Sequence, residues 1–203
     1  MILPTVERYY RFHAGIYDAT RWSFLFGRTE LIQRVASRFA PSHILEVGCG
    51  TGKNLVRLCQ QLSQARVVGL DISEDMLRRA RKSLNAYRNR AEFLQRPYDQ
   101  PLKVNPAFDL ILFSYSLSMM PKDWENAIDS VRQDVKPGGL IAVVDFHDSC
   151  SSGFKRWMGV NHVRMDGHLL PRLQSSFRPI QLEINPAYAG WWSYFLFIGQ
   201  TEG

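Results

Sequence analysis

The stretch Leu45–Gly52, LEVGCGTG, has the residue types and spacing to hold a small polar ligand. An apolar run ends in three alternating glycines, Gly48, Gly50 and Gly52, and a helical pattern begins just beyond. Glycines let a backbone turn tightly and approach a ligand where a side chain would clash. Open α/β sheets bind their ligands at the carboxyl ends of strands, which is where this loop sits. The next apolar run ends in Asp71, whose carboxylate can accept both hydroxyls of a ribose. Spacing excludes two other ligand loops. A dinucleotide fingerprint needs G-x-G-x-x-G, but position 53 is Lys. A phosphate loop needs G-x-x-x-x-G-K-[ST]; here Gly48 and Gly52 enclose three residues, and Asn54 stands in place of Ser or Thr.

A second constellation precedes this loop. Tyr9, His13, Ile16, Tyr17 and Thr20 fall at spacings of three and four, which predicts a helix over residues 5–20 with Tyr9, His13 and Tyr17 on one face. Tyr10, Trp22 and the FLF run at 24–26 add aromatic surface, and Arg21 and Arg28 add guanidinium forks suited to carboxylate or phosphate. Such a cluster packs a core, faces a partner, or covers a site for something both oily and charged. Aromatic walls also attract a quaternary ammonium, by roughly 0.5–2 kcal/mol per contact. Among the other histidines, His147 follows the fifth expected strand, and His162 and His168 lie in a later irregular segment.

These residues need a scaffold, and the hydropathy pattern supplies one. A helix is expected over 28–40, a strand over 43–47, a helix from Lys53 to Leu62 and a strand over 65–71. Ser73 can cap a helix reaching Arg88, followed by strands over 91–96 and 108–116. A helix over Trp124–Asp134, a KPGG turn at 136–139 and a fifth strand over 140–146 come next. After a helical or irregular segment at 151–176, strands over 178–184 and 193–199 are joined too closely for a crossover helix and should pair antiparallel. The alternation predicts a single domain, 1–203, with a doubly wound, mostly parallel seven-stranded α/β sheet at 41–203 behind an N-terminal helical lid at 1–40.

Composition narrows the setting. The chain has 203 residues, 45% of them apolar, which suits one globular domain with a real core. No apolar run approaches the ~20 residues that span a bilayer, and MILPTVERYYRFH does not read as a signal peptide. Cys49, Cys59 and Cys150 have no metal-binding spacing, which points to a reducing, cytoplasmic compartment and no metal. The formal charge of +6 is concentrated in RRARKSLNAYRNR, Arg78–Arg90, either a solvated helix face or a stripe for anionic lipid or nucleic acid.

The pattern E-x-G-x-G-x-G resembles motif I of the class I S-adenosylmethionine-dependent methyltransferases, a Rossmann-like family. The likeness continues in order through VVGLDISEDML, FDLILFSYSLSMM and KPGGLIAVVD. It implies S-adenosylmethionine as cofactor, S-adenosylhomocysteine as product and no metal. It places the methionine tail at the loop of Glu46, Gly48, Gly50 and Gly52, the ribose at Asp71, the adenine beside Ile72 and Met76, and the reacting methyl beside Ser114 and Tyr115. Many relatives carry an acidic residue near the adenine amine where this chain has Pro97; Tyr98, Asp99 or backbone groups would take its place.

Three segments outside those motifs, FHAGIYDATRWSFLFGR, FSYSLSMMPKDW and PAYAGWWSYFLFIG, resemble the methyltransferase of bacterial betaine-lipid synthesis. That resemblance implies trimethylation of the amine of diacylglyceryl-homoserine, a peripheral position on the inner face of the membrane, and a partnership with the enzyme that makes the acceptor lipid. Tyr9, Tyr17 and Tyr115 would orient the amine, Arg21 would pair with the carboxylate, and His13 or His147 would help remove a proton. Two alternatives stand: a phosphatidylethanolamine N-methyltransferase, and a non-catalytic cofactor-binding adaptor. A nucleic-acid base methyltransferase is disfavoured, since FSYS stands where such enzymes often carry [DN]-P-P-[YFW].

Overall fold

The structure is a computed structural model and describes residues 25–105, 107–120, 122–160 and 163–202. The expected helix over 5–20, with Tyr9, His13 and Tyr17, therefore lies outside the described residues, as do Arg21 and His162.

Helix α1 (Arg28–Phe39) leads into strand β1 (His43–Val47), α2 (Lys53–Gln61) and β2 (Arg66–Asp71). Then come α3 (Glu74–Ser83), β3 (Ala91–Gln95), β4 (Phe108–Ser114) and α4 (Trp124–Asp134). The chain closes with β5 (Val135–Ser149), α5 (Ser152–Val160), α6 (Leu169–Ser176), β6 (Arg178–Ala187) and β7 (Trp192–Gln200). The strands form one seven-stranded sheet in the order β3-β2-β1-β4-β5-β7-β6. The first five strands run parallel, and β7 runs antiparallel to both β5 and β6.

Strand periodicity builds two cores from this one sheet, because successive side chains point to opposite faces. Ile44, Leu110, Leu112, Ala142 and Val144 pack on one side with Leu31, Ile32 and Val35 of α1 and Leu55 and Leu58 of α2. Leu45, Val47, Ile111, Phe113, Ile141 and Val143 pack on the other with Ala127, Ile128 and Val131 of α4 and Leu169 and Leu173 of α6. Both faces are covered, which is why FDLILFS reads as a nearly continuous apolar run.

Several boundaries differ from the sequence expectation. Helix α3 stops at Ser83 rather than Arg88: Leu84 is buried, and a short 3₁₀ turn follows at Asn85–Tyr87. The KPGG segment is not a separate turn but part of β5, where the register slips between Phe108↔Val135 and Leu110↔Leu140. Asp109 anchors this bulge through Lys136, and Gln200 donates to the Gly138 carbonyl. Strands β6 and β7 are longer than expected, leaving only residues 188–191 as their link, and they pair antiparallel as expected.

Part of the basic stripe is structural. Arg78 pairs with Asp75 and Arg81 with Glu74 on the exposed side of α3. Arg90 donates to the carbonyls of Cys59 (3.0 Å), Leu62 (2.9 Å) and Ala65 (2.8 Å), which closes the carboxyl end of α2. Helix-end carbonyls have no intrahelical donors, so this guanidinium satisfies groups that would otherwise be orphaned. Arg90→Met, which keeps the stem and removes the donors, is expected to lower stability by about 2 kcal/mol in urea unfolding.

Candidate functional site

The sheet order reverses between β1 and β4, and the two loops that leave their carboxyl ends flank the resulting crevice. The first is the glycine loop. Gly48, Gly50 and Gly52 all hold positive φ, at 74°, 54° and 78°. Gly48 and Cys49 donate their N–H groups to the Leu70 carbonyl at 2.8 and 3.0 Å, which ties the loop to β2.

The three glycines serve different needs. A Cβ on Gly48 would lie 2.7 Å from Cβ of Ser116, and one on Gly52 would lie 2.7 Å from Leu84 Cδ1. Those two are required by protein packing. A Cβ on Gly50 would meet nothing within 4 Å among the described residues. Its bare backbone is left uncovered by them, as a cradle for a ligand would be.

Asp71 fixes that cradle. Its Oδ2 accepts the Gly50 N–H at 2.8 Å, and its Oδ1 accepts the Ser73 N–H at 2.9 Å. Ile72, 42% exposed beside Asp71, presents an apolar surface. Met76 is buried behind it, with its N–H donated to Ser73 Oγ at 3.4 Å, the cap that starts α3.

Beneath the loop lies Glu46, buried in β1. Asn54 Nδ2 donates to its Oε1 at 2.7 Å, while Oε2 has no partner among the described residues. Burial raises its pKa to about 8, against the lowering effect of the Asn54 bond and of Arg28. An orphaned buried carboxyl oxygen is costly unless a donor or cation reaches it. Asn54 carried a signal the sequence reading did not use: it is a polar residue on the buried stripe of α2, alongside Leu55, Leu58 and Cys59.

The second loop follows β4. Ser114 and Ser116 each bury a hydroxyl without a partner among the described residues. Between them Tyr115 adopts left-handed φ, 55°, and is fully buried. Its hydroxyl donates to the Phe26 carbonyl at 3.0 Å, and its ring meets Phe146 edge-on at 4.7 Å. Burial, with Asp145 nearby, holds that phenol well above its ordinary range. Tyr115 thus fastens the segment before α1 over the carboxyl edge of the sheet.

Asp145 was not among the expected residues. It is buried in β5, accepts N–H bonds from Ser118 (3.1 Å) and Phe146 (2.8 Å), and has its pKa raised by burial to about 6.

The structure does not bring all the expected residues together. His147 turns to the opposite sheet face from Tyr115, with Phe195 at 6.3 Å ring to ring and its Cε1 near Gly167. Its Nδ1 is buried without a partner among the described residues. Tyr98 is buried in the second core, and its hydroxyl donates to Asp134 Oδ2 at 2.9 Å. Asp134 also accepts the N–H groups of Leu102 and Lys103, at 2.7 and 2.8 Å. The Tyr98 hydroxyl is therefore committed to the loop before β4, and burial raises its pKa. Tyr98→Phe is expected to cost about 1 kcal/mol in urea unfolding.

A groove at the opposite, amino edge of the sheet is lined by Phe39–Ser42, Asp109 and Lys136–Leu140. Its one carboxylate is taken up by Ser42, His43 and Lys136, so it offers no open acceptor comparable to Glu46. Among the described residues no group of His, Cys, Asp or Glu is placed to hold a metal.

Comparison with known proteins bears on this crevice. Residues 44–139 match the family model described as a methyltransferase domain. The chain is 30% identical over 146 residues to the biotin biosynthesis bifunctional protein BioCD of Bordetella avium, covering 71% of this chain and 30% of that protein. It is 28% identical over 181 residues to the dTDP-3-amino-3,4,6-trideoxy-alpha-D-glucopyranose N,N-dimethyltransferase of Streptomyces venezuelae, covering 82% of this chain and 70% of that protein. Among solved structures, N-methyltransferase NodS from Bradyrhizobium japonicum WM9 superimposes with a TM-score of 0.70 at 20% identity, covering 87% of this chain and 94% of that one. NodS has also been solved in complex with S-adenosyl-l-homocysteine.

Proposed function

We propose, on the premise of a methyltransferase domain at residues 44–139 in a class I methyltransferase fold, that this chain is an S-adenosylmethionine-dependent N-methyltransferase. Its acceptor is a lipid headgroup bearing an amine and a carboxylate, diacylglyceryl-homoserine, and three rounds of transfer yield the trimethylated betaine lipid. The enzyme that makes diacylglyceryl-homoserine would supply its substrate.

The observation that carries the cofactor reading is Gly50: a left-handed glycine with no neighbour at its Cβ position among the described residues and its N–H held by Asp71. The residues present fit the group. The Gly48–Gly52 backbone can approach its amino-acid tail, Asp71 can accept from its ribose, and Ile72 can lie along the adenine. The buried Oε2 of Glu46 has no donor among the described residues, and a cationic ligand would supply one. When bound, the cofactor supplies a methyl group on a sulfonium sulfur.

The chain's own residues then have limited work. They align a neutral amine with that methyl and exclude water, which is worth most when the site is pre-formed. Ser114 and Ser116 offer buried hydroxyl oxygens at the crevice. An amine that donates to one of them keeps its lone pair for attack. Tyr115, locked to Phe26, holds the wall of the site in place rather than moving a proton. Tyr9, Tyr17 and Arg21, with His13 as proton acceptor, complete the acceptor side in this reading. His147, across the sheet from Tyr115, is the weaker candidate for the proton.

The lipid acceptor is supported by the three betaine-type segments and by the aromatic character of PAYAGWWSYFLFIG. Labelled S-adenosylmethionine with diacylglyceryl-homoserine and phosphatidylethanolamine in parallel micelles tests it. Label in mono-, di- and trimethylated homoserine lipid is the expected result. Label confined to phosphatidylethanolamine would move the acceptor to the phospholipid. No label with tight cofactor binding would leave a binding protein. Asp71→Ala is expected to raise the dissociation constant for S-adenosylhomocysteine about tenfold or more in calorimetric titration, since hydrogen bonds to a charged group are worth about 1.5–3 kcal/mol.

A further inference from the structure

We infer that α5 and the tip of the β6–β7 hairpin form a docking surface that seats the protein on an anionic lipid bilayer. This rests on the lipid-acceptor reading above and names the surface by which the crevice would meet its substrate.

The position follows from strand direction. Strand β6 ends at Ala187 and β7 begins at Trp192, antiparallel to β5, so the hairpin tip lies at the carboxyl edge of the parallel strands. The glycine loop and Ser114 share that edge. Helix α5 leaves the same edge, immediately after β5.

The surface is aromatic, exposed and rigidly mounted. The Phe154 ring lies 4.7 Å from that of Trp191 and 5.7 Å from that of Trp157, so three rings form one row across the helix and the hairpin. Phe154 and Met158 are buried and anchor α5 inward. Ser149 Oγ donates to the Trp191 carbonyl at 2.8 Å, which fixes the hairpin tip. The outer residues stay in solvent: Trp157 is 56% exposed, Trp191 47%, Tyr188 49% and Val160 75%. Trp157 and Val160 share one face of α5, being three residues apart.

Charge selects the partner. Around α5, Lys155 pairs with Asp148 at 2.5 Å and Arg164 with Asp166 at 2.7 Å, Arg156 adds a further cation, and residues 184–193 carry no charge at all. Tryptophan and tyrosine partition to the headgroup level of a bilayer, and flanking arginine and lysine meet anionic headgroups. A surface of exposed rings whose net charge is positive through Arg156 is complementary to a membrane that presents negative charge and apolar depth. Among the described residues no helix is long and apolar enough to cross a membrane, so the contact is interfacial.

The test is sedimentation of the full chain with vesicles of phosphatidylcholine alone, and of phosphatidylglycerol mixed with phosphatidylcholine, with no acceptor or cofactor added. The wild-type protein is expected to partition at least about tenfold more strongly onto the anionic vesicles. The double variant W157A/W191A is expected to lose about tenfold or more of that partition. Arg156→Glu, which leaves every ring in place, should lose a similar amount. Affinity for S-adenosylhomocysteine should stay unchanged in each variant, which separates loss of docking from loss of folding.

Wild-type protein that ignores anionic vesicles, or variants that bind them as wild type does, would overturn the inference. Self-association that W157A/W191A abolishes, without vesicle binding, would overturn it by giving the rings to a second copy of the chain. Vesicle binding that depends on Trp157 and Arg156, with no lipid amine methylated, would uphold the docking surface and remove the lipid-acceptor reading instead.

Discussion

Gly50→Val is expected to leave a folded protein that no longer binds S-adenosylhomocysteine at useful concentrations. The new side chain projects where no atom of the described residues lies within 4 Å, so it costs little packing. It does impose left-handed φ, 54°, on a branched residue, a strain of about 1–2 kcal/mol. A domain with ordinary stability of about 5–15 kcal/mol survives that. The same side chain fills the space at the cradle, and a loss of about 3 kcal/mol in binding is roughly a hundredfold in dissociation constant.

Gly48→Ala should behave in the opposite way. Its Cβ would fall 2.7 Å from that of Ser116, so two loops must move apart. A stability loss of about 2–4 kcal/mol is expected, with weaker binding only as a consequence. Urea unfolding beside calorimetric titration separates the two effects. Gly50→Val that binds as wild type does would mean that the open space belongs to something other than the cofactor.

The second large effect is a pH dependence centred on Glu46. The folded protein keeps the Glu46 proton up to about pH 8, whereas the unfolded chain releases it near 4.5. Between those values unfolding releases a proton, so stability falls as pH rises from about 4.5 to 8 and is unaffected by this group at lower pH. Asp145, raised from 3.8 to about 6, acts with the same sign over that lower window. Asp109 opposes both. Burial tends to raise it, but its bonds from Lys136, Ser42 and His43 hold it down at about 2, so its contribution is lost as pH falls below 3.8. Together these three groups place the stability maximum at about pH 4, below which Asp109 loses its contribution and above which Asp145 and Glu46 destabilise.

Glu46→Gln isolates the largest contribution. Glutamine keeps an acceptor for Asn54 and cannot ionise. The variant should match wild type near pH 4.5 and exceed it at pH 8, by something on the order of 3–5 kcal/mol. Urea unfolding across that range checks it, and parallel curves for the two proteins would refute it. A ligand carrying a cation stabilises the ionised carboxylate, so wild-type binding of S-adenosylmethionine near pH 7 should release a proton. The calorimetric heat would then depend on the ionisation enthalpy of the buffer, and Glu46→Gln would abolish that dependence while weakening binding.

Much of this could be read along the chain. The alternation of strand and helix, the seven strands, the antiparallel final pair and the cap at Ser73 follow from hydropathy period and local residue types. The glycine loop is likewise local: positive φ at Gly48, Gly50 and Gly52 is a requirement that glycine meets without strain. Boundaries were less legible where distant residues set them. The β5 bulge depends on Asp109 reaching Lys136 and on Gln200 reaching Gly138, contacts 27 and 62 residues apart. The basic run at 78–90 looks like a surface stripe until Arg90 is seen closing α2.

What the sequence by itself determined is the scaffold and the place of the cofactor loop, because both follow from periods of two and 3.6 residues and from backbone freedom at single glycines. What only the tertiary structure decided is how each side chain there is used. Tyr98 proved to be spoken for by Asp134, 36 residues away. Tyr115 and His147 proved to face opposite sides of the sheet, and Glu46 proved to have an oxygen without a partner among the described residues. Those outcomes depend on the strand order β3-β2-β1-β4-β5-β7-β6. That order brings chain-distant groups into hydrogen-bonding reach and takes others away from water, and neither effect leaves a local mark in the spacing of residues.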